Sequence, residues 1–192
     1  MTRYSCDTVN ESHLITSLDE LARIYPAPKP TSRGKIHDCL SEQMQRWLLH
    51  SPFFVLASLR ESGIDCSPRG DAPGKAFTVL DAHTIAIPDR RGNNRIDTLR
   101  NLLIDSRVGL VFLIPGIAEA LRIKGRAHIS VDPQLLDRFS LEEVAPATVI
   151  IVKVDSAYVQ NARAIRSSHL WDDDFLVDPD QVPSAADLSL QP

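Results

Sequence analysis

Residues 53–131 decide the fold, and they read FFVLASLRESGIDCSPRGDAPGKAFTVLDAHTIAIPDRRGNNRIDTLRNLLIDSRVGLVFLIPGIAEALRIKGRAHISV. Short apolar runs in this stretch are rich in β-branched and aromatic residues, which is typical of strands. Residues that favour turns separate these runs, so sequential hairpins are predicted, and such hairpins favour closure into a small barrel. The runs are FFVLASL, AFTVL, TIAIP, VGLVFLI and LRIKGRAHI, with a further buried strand predicted at TVIIVKV, residues 148–154.

One helix interrupts the predicted strands, in NNRIDTLRNLLIDS at residues 93–106. Its leucines recur at helical spacing, Asn94 is the candidate N-cap, and Asp97 lies in the first turn. A second helix is predicted from about Lys35 to His50. The second helix has an apolar stripe that indicates core packing, although a lid or a dimer contact would show the same pattern. The stripe is Ile36, Leu40, Met44, Trp47 and Leu48.

The predicted architecture is therefore mainly β, of the α+β class. It has six to seven antiparallel strands, the inserted helix and flanking helices. We divide the chain into an N-terminal helical arm at residues 1–50, a barrel domain at residues 51–171, and an acidic, proline-containing tail at residues 172–192. Within the arm, Ser17 and Glu20 have the spacing of a capping box and predict a short helix.

The junction between the strand ending near Pro88 and the inserted helix is a candidate anion site. A helix N-terminus offers unpaired N–H groups and a partial positive charge. Arg90, Arg91 and Arg95 crowd this junction, and Gly92 lets the loop turn its N–H groups inward. A phosphate-sized anion could therefore bind there. The alternative is that these residues form only a solvated basic turn. The sequence contains neither GxGxxG nor a P-loop motif.

A second basic feature lies on the strand at residues 121–131. Period-two alternation puts the apolar residues of this strand on one sheet face and the charged residues on the other. The charged face is either a solvent face or a border with an anionic ligand or an acidic partner. Its residues are Arg122, Lys124, Arg126 and His128.

Composition limits the possible functions. The formal net charge of −4 argues against a general nucleic-acid binder. No run reaches the length of a membrane span, and the N-terminal residues lack the apolar core of a secretory signal. The three cysteines form no CxxC, so a reduced cytoplasmic setting is expected. No spacing of metal ligands and no nucleophile motif occurs, so any reaction would rely on a bound cofactor.

Six pieces of the sequence, in this order, resemble the pyridoxamine 5′-phosphate oxidase-related proteins, which have the FMN-binding split-barrel fold. They cover most of residues 50–171. They are SPFFVLAS at 51–58, DCSPRGD at 65–71, IPDRRGNNRIDTLRNLL at 87–103, RVGLVFLIPG at 107–116, LRIKGRAHIS at 121–130 and RSSHLW at 166–171.

The resemblance implies a homodimer that binds FMN in clefts at the dimer interface. It implies three groups of cofactor-binding residues. One lies on the strand that lines the flavin, one holds the ribityl phosphate, and one packs on the flavin from the other protomer. In that order they are Arg69, Gly70 and Asp71; Asn93, Asn94, Arg95 and Thr98; and Arg166, Ser167, Leu170 and Trp171.

The resemblance also bears on the reaction. RSSHLW does not match the motif that binds the substrate in the true oxidase, and the glutamine expected near Ala120 is missing. The prediction is therefore an FMN-dependent oxidoreductase of unknown substrate. The alternative is a flavin-binding protein without turnover, acting as a carrier, store or sensor. Related subgroups use F420 or haem in place of FMN, and the sequence does not separate these cofactors.

Overall fold

The structure is a computed structural model, and it describes residues 10–27, 35–92, 94–161 and 163–189. The chain forms two compact units, residues 1–35 and 36–192. In the first unit, helix α1 spans Leu18–Ile24. The Ser17 hydroxyl accepts the Glu20 N–H at 3.2 Å, as predicted. The Glu20 carboxylate accepts from the N–H of Thr16 rather than Ser17, at 2.8 Å, so the reciprocal half of the capping box is displaced by one residue.

The second unit is built on one antiparallel sheet. Its seven strands follow the order β2-β1-β5-β6-β7-β4-β3. This sheet, with its inserted helix, confirms the predicted α+β split-barrel class. The strands are β1 Phe53–Arg60, β2 Gly63–Gly70, β3 Thr78–Asp81, β4 Thr84–Asp89, β5 Arg107–Leu113, β6 Glu119–Ser130 and β7 Thr148–Asn161. The helices are α2 Glu42–Leu48, α3 Asp97–Ile104, α4 Pro133–Arg138, α5 Arg163–Ser167 and α6 Ala185–Ser189, with 3-10 turns at Asp173–Phe175 and Pro179–Gln181.

Two ion pairs join opposite ends of the sheet. Strand β2 is one edge, whereas β4 lies next to the other edge. Arg69 Nη1 nevertheless lies 3.0 Å from Asp89 Oδ1, and Arg90 Nε lies 3.1 Å from Asp71 Oδ2. Each pair links the end of β2 to the end of β4, so the sheet must curl for them to form. These two ion pairs therefore hold the ends of the curled sheet together at a point where β2 and β4 are not paired as strands.

The barrel interior is filled by aromatic and aliphatic side chains. Phe54 and Phe112 are fully buried and stack at 5.0 Å between ring centroids, with Phe77 edge-on to both. Of the predicted stripe, Leu40, Met44 and Leu48 are buried in this core and Trp47 packs against it, which confirms core packing for these four residues. Ile36 is exposed, so the prediction is wrong for this residue.

The predicted helix over residues 35–50 is wrong for residues 35–41. The backbone at His37 instead pairs with Ala157 of β7, and the His37 N–H donates to the Ala157 carbonyl at 2.9 Å. The helix begins at Glu42, where the Ser41 hydroxyl caps it by accepting the Met44 N–H at 3.2 Å. A strand pairing therefore overrides helical periodicity in this segment.

Strands β6 and β7 form the longest ladder. On β6 the apolar residues are buried, while Lys124, Arg126 and His128 are exposed, which confirms the predicted alternation. Strand β7 continues to Asn161, seven residues beyond the strand predicted at residues 148–154. This end of β7 pairs with the start of β6, where Arg122 lies opposite Tyr158. No helix in the described ranges is long and apolar enough to cross a membrane.

The inserted helix α3 is tied to the barrel by one buried side-chain hydrogen bond. Asn101 Nδ2 donates to the Ser58 hydroxyl of β1 at 2.9 Å, and both residues are buried. Because α3 begins at the candidate anion site, this hydrogen bond helps to hold that site in place relative to β1.

We expect Ser58→Ala and Asn101→Leu each to lower the free energy of unfolding by about 1–3 kcal/mol, because each leaves a buried polar group unpaired. The double variant should lose less than the sum, since it removes both polar partners. Urea unfolding of the three variants measures this coupling. Additive losses would show that the two groups do not depend on each other.

The connection from α3 to β5 carries a pH-sensitive ion pair. Arg107 lowers the pKa of Asp105 to about 2. The largest cause is hydrogen bonding from the Arg107 guanidinium, whose Nη2 lies 2.5 Å from Asp105 Oδ2, and the second is the hydrogen bond from the Arg107 backbone N–H. The folded pKa lies below the ordinary 3.8, so the stabilisation is present above pH 3.8 and is lost as the pH falls towards about 2. We expect Asp105→Asn to remove this part of the acid dependence, as measured by thermal unfolding across that range.

Candidate anion-binding cleft

A cleft opens between the end of β2, the end of β4 and the N-terminus of α3. Its volume is about 940 Å³. This volume falls within the range of about 300–1,000 Å³ that is common for ligand pockets. The lining residues are Asp65, Cys66, Ser67, Pro68, Arg69, Asp89, Arg90, Arg91, Gly92, Asn94, Arg95, Ile96, Asp97, Thr98, Leu99 and Ala147.

The loop that enters α3 has an unusual backbone. Asn94 and Ile96 both lie in the left-handed region, with φ of 58° and 50°. Isoleucine is β-branched and rarely adopts this conformation, which costs of order 1–3 kcal/mol. The helix begins at Asp97 with Ile96 at the N-cap, so the prediction of Asn94 as the N-cap is wrong. The left-handed turn at residues 94–96 delays the helix by two residues.

This helix start has no side-chain cap. Isoleucine offers no acceptor, and Ile96 makes no capping hydrogen bond. The first N–H groups of α3 therefore keep their capacity to bind an acceptor from outside the helix. Thr98, in this first turn, is only 4% exposed and lines the cleft. The uncapped start of α3 thus faces the cleft with a buried hydroxyl in its first turn.

Arginines dominate the electrostatics of the cleft. Four arginines face three aspartates among the lining residues, which leaves one excess positive charge. Arg90 donates from Nε to Asp71 and from Nη1 to the Phe139 carbonyl, both at 3.1 Å. Arg95 is ion-paired to Asp97, with Nη2 at 2.9 Å from the carboxylate, yet 74% of its side chain is exposed. Its position at the rim leaves this guanidinium able to turn towards a bound anion.

Arg69 has an unsatisfied buried donor. Its Nη1 is paired to Asp89 at 3.0 Å, but its Nε is buried and has no hydrogen-bond partner among the residues that the structure describes. A buried polar group without a partner is costly, so such groups are rare in folded proteins. Because Arg69 lines the cleft, an acceptor on a bound molecule could satisfy this N–H.

The structure gathers several of the predicted site residues in this cleft and places others elsewhere. Arg69, Asn94, Arg95 and Thr98 all line it. Gly70 ends β2 beside the cleft, opposite Phe53, and a Cβ added there would lie 3.3 Å from the Pro52 carbonyl oxygen. Asp71 supports the cleft through its ion pair with Arg90. Asn93 lies outside the described residues.

The predicted C-terminal residues do not line the cleft of their own chain. They lie beside the turn between β5 and β6. Trp171 Nε1 donates to the Ile117 carbonyl at 2.9 Å, and Arg166 is 3.6 Å from the Glu119 carboxylate. Leu170 is 52% exposed, and Ser167 is the last residue of α5 and also exposed. Their predicted contact with a flavin therefore requires a second copy of the chain.

Several lining residues were missed by the sequence reading, among them Asp65, Asp89 and Ala147. Asp65 alternates with Ser67 and Arg69 along β2, and this spacing is the one signal that could have placed it on the cleft side. Asp89 and Ala147 come into reach only through the curl of the sheet and the β4–β7 pairing. Within the described residues, no group of three or more histidine, cysteine or acidic side chains could hold a metal ion.

The fold and the cleft define a split-barrel protein with an arginine-lined cleft at the start of its inserted helix. Residues 40–167 match the model of a family described as pyridoxamine 5′-phosphate oxidase, and the chain belongs to this family.

Solved structures share the fold at low sequence identity. HupZ of Group A Streptococcus is 15% identical, with a TM-score of 0.52, over 64% of this chain and 94% of that chain. A candidate pyridoxamine 5′-phosphate oxidase of Lactobacillus delbrueckii is 20% identical, with a TM-score of 0.50, over 64% of this chain and 95% of that chain. No curated protein matches the sequence significantly.

Proposed function

We propose that the chain binds FMN in this cleft, as a homodimer, and uses it as an oxidoreductase of unknown substrate. The observation that carries the proposal is the uncapped N-terminus of α3, which opens into a cleft ringed by arginines. A phosphate monoester suits this position, because its oxygens accept from helix N–H groups and from guanidinium groups. Family membership supports a flavin as the molecule that carries the phosphate.

The residues of the cleft fit the two ends of FMN. Arg95, the Thr98 hydroxyl and the loop at Asn94 would hold the phosphate. The buried, unpartnered Nε of Arg69 would donate to an acceptor of the ribityl chain or of the ring edge. Ser67 and Pro68 of β2 would form the wall beside the ring. In this arrangement the phosphate lies at the helix start and the ring lies along β2.

The outer face of the sheet supports the proposed dimer. On β1 and β5 the residues that point away from the barrel core, apart from Arg107 at the start of β5, are apolar or glycine and incompletely buried. Val55 lies directly opposite Val111, and Phe53 opposite Leu113. A contiguous apolar face of this kind commonly marks a protein–protein interface. A second copy packed here would bring another chain close to β2, which lines the cleft.

When bound, FMN would supply hydride or electron transfer, while the residues of this chain would bind and orient it. The titratable lining residues other than arginine are three aspartates and Cys66. Asp89 and Asp97 are already paired with arginines. This scarcity of free acids and bases in one chain supports the second candidate, a flavin-binding carrier or sensor without turnover.

Cys39 and Cys66 are free thiols, in keeping with the proposed cytoplasmic setting.

The identity of the cofactor tests the proposal. We expect denaturation of the purified protein to release a flavin that elutes with FMN. Release of FAD, F420 or haem, or a colourless protein that takes up no FMN, would contradict it. Anaerobic addition of NADH or NADPH then separates the two candidates, since bleaching of the flavin band would support the oxidoreductase and an unchanged spectrum would support the carrier.

The proposed dimer predicts a particle of about twice 21.3 kDa by light scattering at micromolar concentration. A two-fold dimer buries the same face of both chains, so its mass should be independent of flavin content. A monomer that retains tight FMN binding would contradict the shared cleft.

A further inference from the structure

The outer surface of β5, β6 and β7 carries a concentrated positive charge, which we call the basic face. Arg126 of β6 lies in register between Arg107 of β5 and Lys153 of β7. Like charges directly opposite on neighbouring strands destabilise a sheet unless they are neutralised. The basic face comprises Arg107, Arg122, Lys124, Arg126, His128 and Lys153.

Only part of this charge is neutralised within the chain. Asp105 binds Arg107, and Lys153 donates to the Thr84 hydroxyl at 2.8 Å. Arg122 lies over the Tyr158 ring, 5.2 Å from its centroid. Lys124 and Arg126 are exposed, and neither makes an ion pair with any residue in the described ranges. Arg126 lies near enough to the Asp105 carboxylate to help lower its pKa, so the charge of Arg126 is offset in part, whereas that of Lys124 is left for an anionic occupant.

A segment of opposite charge exists in the same chain. Residues 172–189, which we call the acidic segment, contain six aspartates and no lysine, arginine or histidine. Removing these six negative charges from the net charge of −4 leaves +2 for the rest of the chain. Every residue of the acidic segment is exposed in the structure, including Phe175, Leu176, Val177, Val182 and Leu188. The segment thus combines negative charge with uncovered apolar side chains.

The start of the acidic segment is ordered next to β6. The Trp171 indole donates to the Ile117 carbonyl, in the turn that precedes β6. His169 Nδ1 lies 2.7 Å from Asp172 Oδ2, and the His169 ring stacks on Phe175 at 4.2 Å between centroids. These contacts fix the point from which the segment leaves the barrel.

We infer that the acidic segment of one chain docks on the basic face of a second copy. Its aspartates would neutralise Lys124 and Arg126, and its apolar residues would cover the adjoining apolar face of β1 and β5. The partner is a second copy because, within one chain, the barrel covers none of the acidic segment. The inference extends the proposed dimer but does not depend on the flavin, since the basic face lies outside the cleft.

A charge-exchange experiment tests this docking in trans. The face variant carries Lys124→Glu and Arg126→Glu, and the segment variant carries Asp173→Lys and Asp174→Lys, which spares Asp172. Lys75→Glu with Arg138→Glu is the matched control, because both residues are exposed and lie off the basic face. Hydrogen exchange of the amides at residues 175–188 is measured in each full-length protein.

We expect each charge variant to speed exchange in the acidic segment by roughly tenfold, while the control leaves it unchanged. An equimolar mixture of the two variants should restore protection, since each then meets a partner of opposite charge. Raising the salt from roughly 0.05 M to roughly 0.5 M should weaken protection in the wild type.

Three results would overturn the inference. One is equal exchange in the wild type and both variants. Another is loss of protection in the segment variant alone, which would place the segment on a different surface. The third is a mixture that stays unprotected while a single chain carrying all four substitutions is protected, which would show docking within one chain. None of these readouts uses the flavin, so failure of FMN binding is scored separately.

Discussion

Gly125→Ala is expected to lower the free energy of unfolding by roughly 3 kcal/mol, or to prevent folding, because there is no space for a methyl group. A Cβ on Gly125 would lie 2.2 Å from the Lys153 carbonyl oxygen and 3.1 Å from Val152 Cγ1. The first of these contacts is with backbone, which cannot rotate away. The register of β6 against β7 also shifts between Lys124 and Gly125, so the strands approach closely at a bulge.

Gly109→Ala is the matched control for this prediction. Gly109 also lies in a strand of the same sheet, but the nearest atom to its added Cβ is the Ala57 Cβ, at 3.9 Å. That is an ordinary contact, so we expect a change of less than about 1 kcal/mol. Urea unfolding of both variants gives the comparison, with soluble yield as the measure if Gly125→Ala does not fold. Similar stability of the two variants would show that β6 and β7 lie further apart than the structure places them.

Arg95→Ala is expected to weaken FMN binding by roughly 10- to 150-fold, which corresponds to the loss of one charged hydrogen bond of about 1.5–3 kcal/mol. Arg95 lies one residue before the N-cap of α3, and its largely exposed side chain forms an ion pair with Asp97 at the rim of the cleft. Riboflavin lacks the phosphate, so its affinity should change little. The difference between the two ligands isolates the phosphate contact from any general damage to the cleft.

Arg100→Ala provides the control on the same helix. Arg100 is exposed on α3 and does not line the cleft. Its loss removes the same charge from the same helix, so both ligands should retain their affinity. Fluorescence quenching titrations of the wild type and the two variants with each ligand give six affinities. If Arg95→Ala weakens riboflavin as much as FMN, Arg95 has a structural role and the phosphate lies elsewhere.

Local patterns were enough to predict most of the sheet. The alternation in β6 and the apolar runs of β1, β4, β5 and β7 each report which face is buried, because a strand repeats every two residues. The end of β7 was missed because the sequence 156–161 has no apolar run of its own. It is held as a strand by pairing with β6, at a separation that local patterns do not record.

The candidate site was predictable only in part. Residues close in sequence, such as Arg95 and Thr98, were placed together because one precedes the start of α3 and the other lies in its first turn. The left-handed turn at Asn94 and Ile96 was not predictable, because β-branched residues normally avoid that conformation. Asp89 became part of the site through its ion pair with Arg69, twenty residues away, which forms only when the sheet curls. In the proposed dimer the C-terminal residues would contact the flavin of a second chain, and such contacts leave no local pattern in one sequence.

The relative affinity of the wild-type protein for FMN, riboflavin and FAD tests the central claim most directly. If the start of α3 holds a terminal phosphate, FMN should bind at least about tenfold more tightly than riboflavin. FMN should also bind more tightly than FAD, because the uncapped helix start and its arginines form a compact site for one phosphate group. Equal affinities for FMN and riboflavin, or tightest binding of FAD, would contradict an FMN site anchored at this helix.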